Sequence, residues 1–167
     1  MLLIEKNKTT FESMKQNSKI WYSFMGDKNF KNDISFYNLN KIKWVDEIQE
    51  NWNTIRDEIN LYIDNNEKNI KSYFNESLIT KKSNWRTSTF LFWNWKLKRN
   101  MKQCPYTISL FNKIPGLISI SISILEGNSE IKLHRGDTNA TIRGHLALKI
   151  PAKLPICGFK VSNEECS

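Results

Sequence analysis

The most regular pattern of hydrophobic and polar positions lies in residues 117–125, where isoleucine and serine alternate. The alternating residues are Ile118, Ser119, Ile120, Ser121, Ile122, Ser123 and Ile124. A period of two puts the isoleucines on one face of a strand and the serines on the other. The pattern predicts a strand whose serine face either lines a polar cavity, as inside a barrel, or forms a solvated outer surface.

A helical period precedes this strand. Apolar residues recur at helical spacing and predict an amphipathic helix with a buried stripe, formed by Trp44, Val45, Ile48, Trp52, Ile55, Ile59 and Ile63. Residues 85–95 are rich in aromatic and β-branched side chains, which predicts an extended segment. Pro105 suits the first turn of a short helix, and Pro115-Gly116 marks the end of that helix.

Extended patterns return after the turn at residues 126–128. Residues 130–134, 141–150 and 157–161 predict further strands, whereas residues 1–40 predict no firm element beyond a candidate helix after Thr9 or Thr10. Helices followed by antiparallel-looking strands predict an α+β fold with a β-sandwich or barrel. We expect a single domain over residues 1–167, with a poorly defined region at 1–40, helices and a first strand at 41–116, and the β core at 117–167.

Composition and charge narrow the function classes. Hydrophobic residues make up 40% of the chain, which excludes an intrinsically disordered protein. The net charge of +8 favours anionic partners, yet the densest basic run, residues 96–102, has the pattern of a solvated surface. No zinc-finger spacing or RNA-recognition motif occurs, so no nucleic-acid partner is expected. Three cysteines without a CxxC pair disfavour disulfides, and with no signal peptide or membrane-spanning stretch we expect a cytoplasmic protein.

The candidate chemistry is concentrated around the two histidines, His134 and His145. They lie within a short stretch that also carries two arginines, in a chain otherwise without histidine. Non-haem iron oxygenases use two histidines and one carboxylate, with the first histidine and the acid usually two residues apart. Gly136 stands at that position here, and Asp137 would point to the other face of a regular strand. The residues alone therefore make His134 a candidate ligand without a clear local partner.

Three segments, residues 123–127, 134–139 and 142–151, resemble the signature of the aspartyl/asparaginyl β-hydroxylase family. Residues 85–95, Cys104-Pro105, residues 114–116 and Cys157 also match, so the resemblance covers about residues 40–162. It implies N-terminal helices packed on a double-stranded β-helix, a cupin-like barrel, of which residues 117–167 would be the front part. It also implies iron(II), 2-oxoglutarate and O₂. His134 would be the first iron ligand and catalytic residue, with Gly136 replacing the usual carboxylate.

The resemblance further implies that Ser123, Arg143 and His145 line the 2-oxoglutarate pocket. A guanidinium and an imidazole can hold a carboxylate through charge-assisted hydrogen bonds. The expected reaction is hydroxylation of an unactivated carbon of an Asp- or Asn-like side chain or a related substrate. Family members act on peptides, on free or carrier-bound amino acids or on the acyl chain of a lipid, and the residues do not choose among these.

One departure from the family leaves three alternatives open. No histidine or arginine follows His145, although the family takes a second iron ligand and a later arginine from further strands. The chain is therefore expected to be a C-terminally truncated part of a working hydroxylase, with an incomplete barrel. Alternatively, it is a non-catalytic relative that acts as a binding module. In the third alternative, His145 or Asp137 serves as the second metal ligand.

Overall fold

The structure, a computed structural model, describes residues 2–6, 35–134, 141–161 and 164–166. Its α-helices are α1 (Lys43–Glu50), α2 (Trp52–Asn66), α3 (Lys98–Met101) and α4 (Pro105–Phe111). Its strands are β1 (Leu2–Lys6), β2 (Lys71–Ser72), β3 (Trp85–Phe92), β4 (Trp95–Lys96), β5 (Ile120–Leu125), β6 (Ile142–Leu146), β7 (Phe159–Val161) and β8 (Glu164–Cys166). Every strand pair between these strands is antiparallel, which agrees with the predicted α+β class. The sheets of the described residues are open, so the expected barrel is not confirmed.

The chain groups into two compact units, which we describe separately. The central unit is Asp46–Leu133, and the terminal unit combines Met1–Val45 with His134–Ser167. In the central unit, β3 pairs with β2, β4 and β5 in one sheet. Helix α2 covers one face of that sheet: the rings of Tyr62 and Phe90 lie 5.0 Å apart, and the Tyr62 hydroxyl is 2.7 Å from Ser88 Oγ. These three side chains are buried and form the centre of the core.

The predicted helix from Trp44 onward is two helices. The backbone leaves helical geometry at Asn51, where φ is −96° and ψ is 12°. The Asn51 amide Nδ2 also donates to the Glu47 carbonyl at 2.8 Å. An asparagine side chain that bonds to a nearby carbonyl competes with helical backbone bonding, which favours a break at this residue. The apolar stripe is nevertheless buried as predicted at Val45, Ile48, Ile55 and Ile59.

The predicted strand at residues 117–125 forms β5, although it begins only at Ile120. Ile120, Ile122 and Ile124 are buried or half-buried, whereas Ser121 and Ser123 are exposed, so the predicted two faces are confirmed. The predicted extended segment at residues 85–95 contains β3, a two-residue turn and the start of β4. The predicted strand at residues 130–134 is reduced to a single antiparallel bridge between Ile79 and Ile131.

Helix α4 is joined to α2 by a carboxylate. Pro105 occupies the first helical position, as predicted, but the preceding Cys104 side chain makes no capping hydrogen bond. Instead, Glu58 on α2 accepts hydrogen bonds from the backbone N–H groups of Tyr106 and Thr107, at 3.0 and 2.7 Å. The first N–H groups of a helix have no partner within the helix, so Glu58 supplies the cap from a neighbouring element.

In the terminal unit, strand β6 pairs antiparallel with β1. The register places Leu2 opposite Leu146, Leu3 opposite His145 and Glu5 opposite Arg143. Leu146 packs on a small apolar cluster around Val45, which also includes Tyr37, Leu39, Ile42 and Trp44. Strand β6 is shorter than the predicted segment 141–150. A further pair, β7 with β8, contains the predicted strand near residues 157–161.

Candidate active site

Arg143 and His145 lie on one face of strand β6. Side chains alternate along a strand, and Leu146 is directed to the cluster around Val45, so Arg143 and His145 lie on the opposite face. The Arg143 side chain is exposed, and His145 is half-buried with its ring 4.6 Å from the ring of Phe159, at 45°. This arrangement brings together a planar guanidinium donor and an imidazole, which suits the binding of a carboxylate.

Ser123 lies on the serine face of the central sheet, opposite Thr87 on β3. Its Oγ accepts a hydrogen bond from the indole Nε1 of Trp85 at 2.8 Å. Trp85 in turn stacks on Tyr73, with ring centroids 3.7 Å apart and planes at 20°. The stacked ring limits the rotation of the indole and therefore fixes the position of the Ser123 hydroxyl, which still carries a proton that it can donate. Ser123 is exposed, so this hydroxyl is accessible to a ligand.

His134 is the last described residue before the gap at residues 135–140, and its side chain is exposed. Gly136 and Asp137, which have predicted roles beside His134, lie outside the described residues. The three predicted residues His134, Arg143 and His145 belong to the terminal unit, and Ser123 belongs to the central unit. The structure therefore places Arg143 and His145 together on one strand face, and it defines the surroundings of Ser123 separately.

Cys104 is a buried thiol of the central unit whose pKa is clearly shifted. The side chain is fully buried, and burial, followed by the negative charge of Glu58, raises its pKa from 9.0 to about 12. A thiol that stays protonated is a poor nucleophile and a poor metal ligand. Cys104 therefore acts as a core residue and not as part of a catalytic site.

Comparison with known proteins assigns the family. A sequence profile described as "Aspartyl/Asparaginyl beta-hydroxylase" matches residues 49–167. The chain belongs to the aspartyl/asparaginyl β-hydroxylase family. It is similar to an ornithine lipid ester-linked acyl 2-hydroxylase of Rhizobium tropici, with 28% identity over 134 residues covering 78% of this chain and 47% of that protein. It is also similar to the aspartyl/asparaginyl beta-hydroxylase of Homo sapiens, with 30% identity over 152 residues covering 78% of this chain and 19% of that protein.

This aspartyl/asparaginyl β-hydroxylase family member therefore spans just under half of one relative and about a fifth of the other. The matched region contains Ser123, His134, Arg143 and His145, which all carry predicted roles. The match confirms the family that the sequence segments around these residues indicated. It identifies the family and leaves the individual roles of these residues as predictions.

Of the two groups that the family implies, 2-oxoglutarate fits the described residues better than iron does. Within residues 2–6, 35–134, 141–161 and 164–166, no group of three or more His, Cys, Asp and Glu side chains could hold a metal ion. The described residues therefore do not make a three-ligand iron site by themselves. The carboxylate of 2-oxoglutarate is better matched, because Arg143 and His145 lie on the same strand face.

The sequence patterns missed one element of this family member that borders the candidate site. Strand β1 pairs with β6, the strand that contains Arg143 and His145. The signal was the short apolar run Leu2-Leu3-Ile4, which is too brief to indicate a strand without its distant partner. None of the helices in the described parts of the chain has the length and apolar character needed to cross a membrane.

Proposed function

We propose that this chain is part of an iron(II)- and 2-oxoglutarate-dependent hydroxylase, in which Arg143 and His145 bind a carboxylate of 2-oxoglutarate. The observation that carries the proposal is their position, two residues apart on one face of β6. Arg143 would donate two parallel N–H groups to the carboxylate, and His145 would donate one more from its ring. The contact between His145 and Phe159 supports a fixed imidazole orientation, which lowers the entropy cost of binding.

His134 would contribute one imidazole to the metal, and the role of Ser123 in binding the cosubstrate stays a prediction of the family resemblance. Bound iron, 2-oxoglutarate and O₂ together supply the chemistry that converts a C–H bond of the substrate to C–OH. At least one further metal ligand would have to come from outside the described residues. We propose the substrate class that the family implies, an Asp- or Asn-like side chain or a related group. The name of the Rhizobium relative adds a lipid acyl chain to that class.

The test is an anaerobic titration of the chain with iron(II) and 2-oxoglutarate, followed by the visible charge-transfer band of the chelate. We expect a saturable band that His134→Ala abolishes. Arg143→Ala should weaken 2-oxoglutarate binding by about 10- to 100-fold, since it removes hydrogen bonds to a charged group worth about 1.5–3 kcal/mol. Arg143→Lys should recover only part of that affinity, because an ammonium group cannot bind a carboxylate through two parallel bonds.

Arg56→Ala is the matched control, because Arg56 is a surface arginine of α2 whose ion pair is with its neighbour Asp57. It should leave both ligands' affinities unchanged. Folded protein that gives no band, or a band insensitive to both His134→Ala and Arg143→Ala, would refute the proposal. The family chemistry would then be absent from this chain, and a fragment or a non-catalytic binding module would be the remaining interpretations.

A further inference from the structure

The hairpin formed by β3 and β4 exposes large apolar side chains at its end. We call residues 92–97 the hairpin tip. Within it, Trp95 is 77% exposed, Phe92 is 45% exposed and Leu97 is 37% exposed. Phe92 and Trp95 are directly paired across the two strands, on either side of the turn at Trp93 and Asn94. Directly paired residues project from the same face, so the two aromatic rings form a joint apolar surface.

The backbone holds this apolar surface in a fixed position. Both turn residues have positive φ, 46° at Trp93 and 67° at Asn94, which matches the twist of a tight two-residue hairpin. The Trp93 N–H donates to Ser119 Oγ at 3.2 Å, and the Asn94 N–H donates to the Ile118 carbonyl at 3.0 Å. A tryptophan in the left-handed region is strained, and these bonds to the segment before β5 compensate for that strain. The rings are therefore presented on a rigid support.

Positive charge surrounds the tip without any nearby acidic residue in the sequence. Residues 77–125 contain no Asp or Glu but eight basic residues: Lys81, Lys82, Arg86, Lys96, Lys98, Arg99, Lys102 and Lys113. Lys96, Lys98, Arg99 and Lys102 lie on the tip or within the helical segment that follows it, and all four are exposed. Among the described residues, the ion pairs of this stretch involve only Arg86 and Lys113, so these four cations pair with no described carboxylate.

Exposed aromatic and aliphatic side chains combined with cations fit one kind of partner better than others. An anionic membrane surface accepts tryptophan, phenylalanine and leucine at the boundary between head groups and acyl chains, while lysine and arginine contact the lipid phosphates. Single-stranded nucleic acid also combines aromatic and basic contacts, but it binds along grooves in which aromatic rings stack on bases. Trp95 protrudes from a turn and Leu97 offers no stacking surface, so these observations favour the membrane.

We propose that the hairpin tip and the four cations beside it form a peripheral binding surface for membranes rich in anionic lipid. Phe92, Trp95 and Leu97 insert into the interface, and Lys96, Lys98, Arg99 and Lys102 bind the phosphates. This surface lies entirely in the central unit and does not depend on the proposed hydroxylase activity. It would bring the chain to lipid by peripheral contact.

The test is flotation of the 167-residue chain with vesicles of phosphatidylcholine alone and with vesicles containing about one-third phosphatidylglycerol. We expect binding to the anionic vesicles only, and weaker binding as salt is raised. Trp95→Ser should reduce the partition coefficient at least tenfold. The double variant Lys96→Gln/Lys98→Gln should reduce it by about 25-fold, since each cation near an anionic surface contributes about a fivefold effect.

Matched controls distinguish binding by this surface from non-specific hydrophobic or electrostatic binding. Phe74→Ser removes another exposed aromatic residue, 69% exposed, outside the tip, and Lys149→Gln/Lys153→Gln removes two exposed charges from the terminal unit. Both should bind vesicles like the unmodified chain. Urea unfolding should confirm that Trp95→Ser is as stable as the parent, because the side chain is largely in solvent.

Three results would overturn the proposal. The first is no binding to anionic vesicles, and the second is binding that the control variants weaken as much as the tip variants do. The third is a different occupant of the tip. Either a single-stranded oligonucleotide binds while vesicles do not, or the chain self-associates in sedimentation and Trp95→Ser abolishes that self-association.

Discussion

The carboxylate of Glu58 is the most informative single group for testing how the central unit is held together. It accepts the backbone N–H groups of Tyr106 and Thr107, and so it replaces the missing side-chain cap of α4. Thr107 is only 3% exposed, whereas Tyr106 is 38% exposed. Removal of the carboxylate would leave the Thr107 N–H buried without an acceptor, while water could satisfy the N–H of Tyr106. Most of the cost therefore comes from Thr107.

A hydrogen bond to a charged group contributes about 1.5–3 kcal/mol, and a buried donor without a partner costs about 1–3 kcal/mol. Since Glu58 is itself half-exposed, we expect Glu58→Ala to lower the free energy of unfolding by about 2–3 kcal/mol. Glu58→Gln retains one carbonyl oxygen as an acceptor and loses the charge, so about half of that loss is expected. Urea denaturation followed by tryptophan fluorescence measures both values.

Asp57→Ala is the matched control, because Asp57 is on the same helix, is exposed and pairs only with Arg56 among the described residues. A surface ion pair of this kind contributes below about 1 kcal/mol. Equal losses of unfolding free energy in Glu58→Ala and Asp57→Ala would refute this role of Glu58. The N–H groups of α4 would then be satisfied without Glu58.

Two further variants test buried polar groups of the same unit. Tyr62→Phe leaves Ser88 Oγ buried without its 2.7 Å partner and should cost about 1–3 kcal/mol, whereas adding Ser88→Ala should recover part of that loss in urea denaturation. Burial raises the pKa of the Cys104 thiol from 9.0 to about 12. The stability that the protonated thiol contributes is therefore fully present below pH 9.0 and falls by about 1.4 kcal/mol per pH unit as the pH rises from there toward the folded pKa. Cys104→Ala removes this dependence, and the stability difference between parent and variant should narrow across that range; a constant difference would contradict the raised pKa.

The local sequence patterns correctly predicted the elements that bury one face in the core. The alternation in β5 and the helical stripe at residues 44–63 both follow from a sheet and a helix that share one core. The break at Asn51 was not predicted, because the apolar spacing continues unchanged across it. A strand was predicted at residues 130–134, but only a single bridge forms there, between Ile131 and Ile79. Ile79 lies on an irregular segment, so the pairing does not extend further.

The candidate site was predicted in part for the same reason. The period of two places Arg143 and His145 on one face, and the strand at Ile142–Leu146 confirms that geometry. The link between Trp85 and Ser123 was not predicted, since it joins diagonal positions of two strands whose register no local pattern specifies. The roles of His134 and Asp137 depend on residues beyond the described stretch, and the role of His134 stays a prediction.

The pairing of β1 with β6 has a consequence for the order of biosynthesis. It joins residues about 140 positions apart, whereas the central unit is continuous along the chain. During translation all residues of the central unit are therefore available while β1 still waits for its partner strand. Until β6 is made, β1 offers an open edge to any other extended chain. The pair of strands that carries Arg143 and His145 can thus form only after the whole central unit has been made, and β1 depends on protection from aggregation until then.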